Sequence, residues 1–119
     1  MELTTASTLE RWFTDIAIKE NGHQGVDYAR ERLRTDSSQV VAAYWRLIAT
    51  HSWREQLSKI DCPVTVVAAA SDKSFPVPDV REVSMAIPNS RFVELPGPHM
   101  LPLETPLSFR DVLASHMRR

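Results

Sequence analysis

Pro63-Val64-Thr65-Val66-Val67-Ala68-Ala69-Ala70-Ser71-Asp72 is the stretch that decides the fold. From Val64 to Ala69 it is a continuous apolar run rich in β-branched side chains. A run without polar alternation predicts a strand covered on both faces, as in a parallel sheet. Ser71-Asp72-Lys73-Ser74-Phe75-Pro76 then reads as a polar loop, and a helix is expected over 78–86 with Val80 and Val83 inward, closed by Pro88. Arg91-Phe92-Val93-Glu94-Leu95 alternates polar and apolar residues and predicts a second strand. Pro96-Gly97-Pro98-His99-Met100 is a rigid turn, and Thr105 followed by Pro106 opens a last helix with Phe109, Val112, Leu113 and His116 or Met117 inward.

Working outward, residues 61–119 form a β-α-β-α segment. A strand–helix–strand crossover makes the strands parallel and the connection right-handed. Parallel strands end at the same sheet edge, about 4.8 Å apart. Asp72 follows the first strand and His99 the second, so two residues far apart in sequence are expected side by side. That edge is where open α/β sheets place their sites. A carboxylate bonded to one imidazole nitrogen fixes the tautomer and stabilises the imidazolium, leaving the other nitrogen to take a proton from a nucleophile. Taken singly, a turn aspartate ordinarily serves local hydrogen bonding, and a histidine in a proline-rich turn is ordinarily structural. The pair is the more specific signal.

Residues 1–60 contain no strand pattern and read as a helical region. Ser7 with Glu10 has the spacing of a capping box, and Leu9, Trp12, Phe13 and Ile16 fall at helical spacing, with Gly22 as a stop. A second helix is expected over 26–33. Asp36 with Gln39 predicts the start of a third, with Val40, Tyr44, Leu47, Ile48 and His51 on one face, and Ser52 with Glu55 that of a short fourth.

At 57–109 the pattern resembles the α/β-hydrolase family. Leu57, Ile60 and Pro63 match the lead-in to a buried strand, and Ala69-Ala70-Ser71-Asp72-Lys73 looks like the turn bearing the triad acid, with Ala69 where the family often has glycine. Gly97-Pro98-His99-Met100, with Leu103-Glu104-Thr105-Pro106, looks like the histidine loop and final helix. The first 60 residues are similar, more weakly, to the cap that lactonases and small esterases insert over their sites. The resemblance implies Asp72 as triad acid, His99 as triad base, and an ester or lactone as substrate. It also implies a nucleophile earlier in chain order, on a G-x-S-x-G elbow. No serine here has that setting, and Ser74, beside Asp72, lacks the strained turn.

Composition agrees. The chain has 119 residues and three glycines, Gly22, Gly25 and Gly97, too few for glycine-rich elbows and phosphate loops. It is too short for a (β/α)₈ barrel of about 250 residues. A net charge of -1 gives no general attraction for nucleic acid or anionic membranes. Cys62 is alone, which excludes an internal disulfide; with no signal peptide and no apolar span, a cytoplasmic protein is expected. His23, His51, His99 and His116 lack metal-ligand spacing, and no cofactor motif is present, so neither metal nor cofactor is expected.

A pair of parallel strands makes a marginal sheet with an open edge. The reading is therefore a truncated or split α/β-hydrolase, helical cap-like region 1–60 followed by segment 61–119, whose sheet is completed by an N-terminal hydrolase half or by a second copy. The alternative is a non-catalytic binding or interaction module acting as a homodimer, with Trp12, Phe13, Tyr44, Trp45 and Trp53 around an apolar ligand; plain helix core is the simpler role for those aromatics.

Overall fold

The computed structural model describes residues 2–118. Four helices come first: α1 (Glu2–Trp12), α2 (Asp15–Lys19), α3 (Gln24–Thr35) and α4 (Ser38–Thr50). A 3-10 helix at Arg54–Lys59 leads into β1 (Val64–Ala69), α5 (Val77–Met85), β2 (Ser90–Leu95), α6 (Leu101–Glu104) and α7 (Pro106–His116). Among the described residues the sheet has two strands, β1 and β2, parallel, with Val64 opposite Ser90 and Ala69 opposite Leu95. The β-α-β-α expectation holds, with strand ends within a residue of those read from the sequence.

The side chains of the two strands divide between the helices. Thr65 meets His116 of α7 (Oγ1 to Nδ1, 2.9 Å), and Arg91, its partner in register, donates to Ser115 of α7 (3.1 Å). On the other face Ser84 of α5 bonds Ser90 (2.8 Å), and the Arg81 guanidinium lies 4.0 Å from the Phe92 ring centre. Val83, expected inward on α5, is 42% exposed. Of the residues expected inward on α7, Phe109, Val112 and His116 are half-buried, whereas Leu113 is exposed.

The helical region has its own core: Leu9, Phe13, Ala17, Val26 and Ala29, with Trp12, Ile18, Leu33, Met100 and Leu103 against it. Gly25 makes this packing possible. A Cβ there would fall 2.6 Å from the Leu103 carbonyl oxygen, so α3 lies on α6 only because residue 25 has no side chain.

Several sequence expectations are corrected here. The Ser7–Glu10 spacing does not open a helix, since α1 already runs from Glu2 and ends at Trp12. The chain restarts at Asp15, where the Thr14 hydroxyl accepts from Ala17 N–H (3.2 Å). The break rotates Ile16 off the Leu9–Phe13 face, and it is 81% exposed. Asp36 is the C-cap of α3, paired with Arg32, and Ser37 precedes α4. The fourth helix is the 3-10 turn. The largest departure is α4: no residue of it is buried, and Val40, Tyr44, Leu47 and Ile48 face solvent.

Candidate active site

The strands alone do not bring Asp72 to His99; the loops continue their pairing. Beyond β1, Ala70 N–H donates to Leu95 O (2.9 Å) and Ser71 N–H to Gly97 O (2.9 Å). The zip carries the parallel register past both strand ends. Gly97 has φ +136, a region that favours glycine, and a Cβ there would meet Leu101 Cδ2 at 2.8 Å. At the end of the zip Asp72 N–H turns back onto Ala69 O (3.1 Å).

The Asp72 carboxylate then works in two directions. Its Oδ1 accepts from the N–H groups of Ser74 (2.7 Å) and Phe75 (3.0 Å), the local turn chemistry expected of an aspartate in this position. Its Oδ2 lies 2.9 Å from His99 Nδ1, across 27 residues of sequence. The structural and functional roles of Asp72 thus coexist, one on each oxygen. The Asp72 side chain is 8% exposed and that of His99 26%. Burial alone would raise the Asp72 pKa, but the hydrogen bond from His99 and those from the Phe75 and Ser74 N–H groups outweigh it and hold the carboxyl below its ordinary value. Because an ionised carboxylate only accepts, the shared proton sits on His99 Nδ1. In a neutral ring Nε2 then carries the lone pair.

Two aromatic rings flank the imidazole. Trp12, at the end of α1, is stacked at 6.3 Å between centroids and 27°, and Phe75 is at 5.6 Å and 30°. Met100 N–H donates to Trp12 O (3.0 Å), so the histidine loop and the end of α1 are joined through the backbone. Glu104 reinforces the joint: its carboxylate accepts from Thr14 N–H (3.0 Å) and Thr14 Oγ1 (2.6 Å), 90 residues away. Lys73 spans the same seam, donating to Glu10 O (2.9 Å).

Asp72 and His99 are thus brought together as the sequence predicted. The roles of Trp12, Phe75, Thr14 and Glu104 were not read from it. Thr14-Asp15 is a legible helix start, but nothing local marks Glu104 as its partner. The remaining histidines have structural places: His23 Nδ1 accepts from Val26 N–H (3.3 Å) at the start of α3, His51 lies on Trp53 (4.6 Å), and His116 bonds Thr65. Ser74 spends its N–H on Asp72. Among the described residues no group of His, Cys, Asp and Glu is arranged to hold a metal ion, and no helix is long and apolar enough to cross a membrane.

No protein-family profile matches the chain. It is similar to the 3-oxoadipate enol-lactonase 2 of Acinetobacter baylyi, with 30% identity over 115 residues, covering 97% of this chain and 42% of the relative. A hydrolase from Pseudomonas aeruginosa PA01 superposes with a TM-score of 0.90 at 25% identity, over 98% of this chain and 44% of its own. The enol-lactonase of Burkholderia xenovorans LB400 superposes with 0.93 at 21% identity, over 100% of this chain and 45% of its own. The chain spans less than half the length of each of these proteins. The α/β arrangement, the parallel pairing of β1 with β2 and these superpositions agree: the chain is a partial α/β-hydrolase, with the helical region and the C-terminal β-α-β-α part of that fold.

Proposed function

We propose that Asp72 and His99 are the acid–base pair of a serine-type hydrolase acting on a small apolar ester or lactone, with the nucleophile supplied by a partner chain or by an N-terminal half of the fold outside these residues. The observation that carries this is the 2.9 Å contact between Asp72 Oδ2 and His99 Nδ1 at the shared end of two parallel strands. In the proposed reaction a hydroxyl nucleophile attacks the substrate carbonyl while His99 Nε2 takes its proton. Asp72, ionised and bonded to Nδ1, stabilises the imidazolium. His99 returns the proton to the leaving alkoxide as the acyl–oxygen bond breaks. Water then repeats the sequence on the acyl intermediate, releasing the acid and restoring the hydroxyl. The enol-lactonase names of the relatives support the ester or lactone class and nothing finer.

The binding-module alternative draws no support from the aromatics named for it. Phe13 is buried in the helical core, Trp12 lies on His99, and Tyr44, Trp45 and Trp53 are exposed.

The test is ester and lactone hydrolysis by this chain together with a polypeptide carrying the rest of the hydrolase fold. Each polypeptide alone is expected to be inactive. The pair is expected to be active, to lose on the order of 10⁴-fold in His99→Ala, and to be unaffected by His116→Ala. Activity indifferent to His99→Ala would overturn the assignment.

A further inference from the structure

The loop Ser71-Asp72-Lys73-Ser74-Phe75-Pro76 is polar but for one aromatic residue, and Phe75 is 58% exposed. A large apolar side chain left this open gains little from burial. What it meets is the candidate base. The Phe75 ring centre lies 5.6 Å from that of His99, with the planes 30° apart, and Trp12 lies at 6.3 Å and 27°. Both residues are tied down by their backbones. Phe75 N–H donates to Asp72 Oδ1 (3.0 Å). The next residue, Pro76, disfavours helical backbone at 75 and accepts from Asp79 and Val80 N–H (3.0 and 3.2 Å) at the start of α5. Trp12 closes α1, and its carbonyl accepts from Met100 N–H (3.0 Å), one residue past His99. The Asp72 carboxylate thus holds the imidazole with one oxygen and, with the other, the backbone of a ring beside it.

The bond between His99 Nδ1 and Asp72 Oδ2 places the proton and one edge of the imidazole. It leaves the plane of the ring free to tilt, because an N–H···O bond weakens steeply only below about 120°. That plane decides where Nε2 points. Proton transfer in the proposed reaction needs Nε2 about 3 Å from the nucleophile's hydroxyl and aimed at it. The charged side chains around the loop are engaged elsewhere. Lys73 donates to Glu10 O and lies 3.7 Å from Asp15, and Glu104 accepts from Thr14. Among the described residues, the rings against the imidazole are those of Trp12 and Phe75.

We infer that Phe75 is a positioning residue: with Trp12 it holds the plane of the His99 imidazole, so that Nε2 keeps one direction while the ring takes up and returns the proton. The inference rests on the acid–base reading of His99. Phe75 acts through the imidazole and not through the substrate. An aromatic face suits the task because it holds the ring in both of its states, by offset stacking when neutral and by attraction of the positive charge when protonated. An aliphatic side chain of similar size covers the same space without a preference for parallel planes.

The test has two arms. Carbon-13 relaxation of the His99 ring in this chain reads the freedom of its plane. The parent is expected to show a rigid ring, Phe75→Leu an order parameter below about 0.6, and Phe75→Tyr the parent's value. The second arm is hydrolysis by this chain together with a polypeptide carrying the rest of the fold. There Phe75→Leu is expected to lower kcat about tenfold with KM unchanged, and Phe75→Tyr to keep the parent's rate. Phe75 is more than half exposed, so both variants are expected to fold as the parent does. A His99 ring as rigid in Phe75→Leu as in the parent would overturn the inference. So would a change confined to KM, which places Phe75 against substrate instead. If the ring loosens in Phe75→Leu but hydrolysis ignores His99→Ala, Phe75 still holds the imidazole and it is the acid–base reading that fails.

Discussion

Helices α3 and α4 are neighbours in sequence and nearly equal in length, and they differ in what they have to lean on. α3 turns Gly25, Val26 and Ala29 into the core and sets its arginines outward in pairs with Asp27, Glu31 and Asp36. α4 has apolar residues on most of its surface and buries none of them. Periodicity identifies the apolar face of each helix but does not say which surface covers it. For α3 that surface is α1 and α6 of this chain; for α4 no described residue of this chain supplies one. The same contrast divides the sheet, where β1 has an uncharged outer edge and β2 a charged one.

The first way to break the comparison is Phe13→Ala. Phe13 is 1% exposed in the α1–α3 core, and chemical denaturation is expected to show a loss of about 3–5 kcal/mol. A loss below 1 kcal/mol would mean that this core is no better packed than α4. Next comes Glu104→Ala, which takes the acceptors from Thr14 N–H and Oγ1. A loss of about 1–3 kcal/mol is expected, together with a change in Trp12 fluorescence as the end of α1 leaves the histidine loop.

The Asp72 carboxyl gives a prediction with a sign. Its pKa is lower folded than its ordinary 3.8, so the stability it contributes is present above that value and is lost as pH falls below it through the folded pKa. Unfolding followed from pH 6 to pH 2 should show Asp72→Ala with a shallower acid-side decline than the parent; parallel curves would remove the bond's energetic role. The smallest effect is expected on α4. Ile48→Gln and Trp45→Gln should change the stability of the chain alone by no more than about 0.5 kcal/mol. A larger loss in either would show that α4 is already packed.

How far the sequence was legible follows from the same physics. β1 and β2 were readable because β-branched runs and alternation are local signals, and crossover handedness then brought Asp72 and His99 to one edge. The outward turn of Ile16 was not readable, because the helix break that causes it is held by Glu104, 90 residues away. Gly25 is a point of contact with Leu103, which no local pattern announces. The bareness of α4 was invisible for the opposite reason: its pattern is correct for a buried helix, and no described residue of this chain covers it.

The most direct measurement is nitrogen-15 imidazole NMR of His99 in this chain. The account predicts that the neutral ring carries its proton on Nδ1, with a downfield, slowly exchanging signal for that proton and its loss in Asp72→Ala. A neutral His99 ring with its proton on Nε2, or one whose spectrum is the same with and without the Asp72 carboxylate, would contradict it.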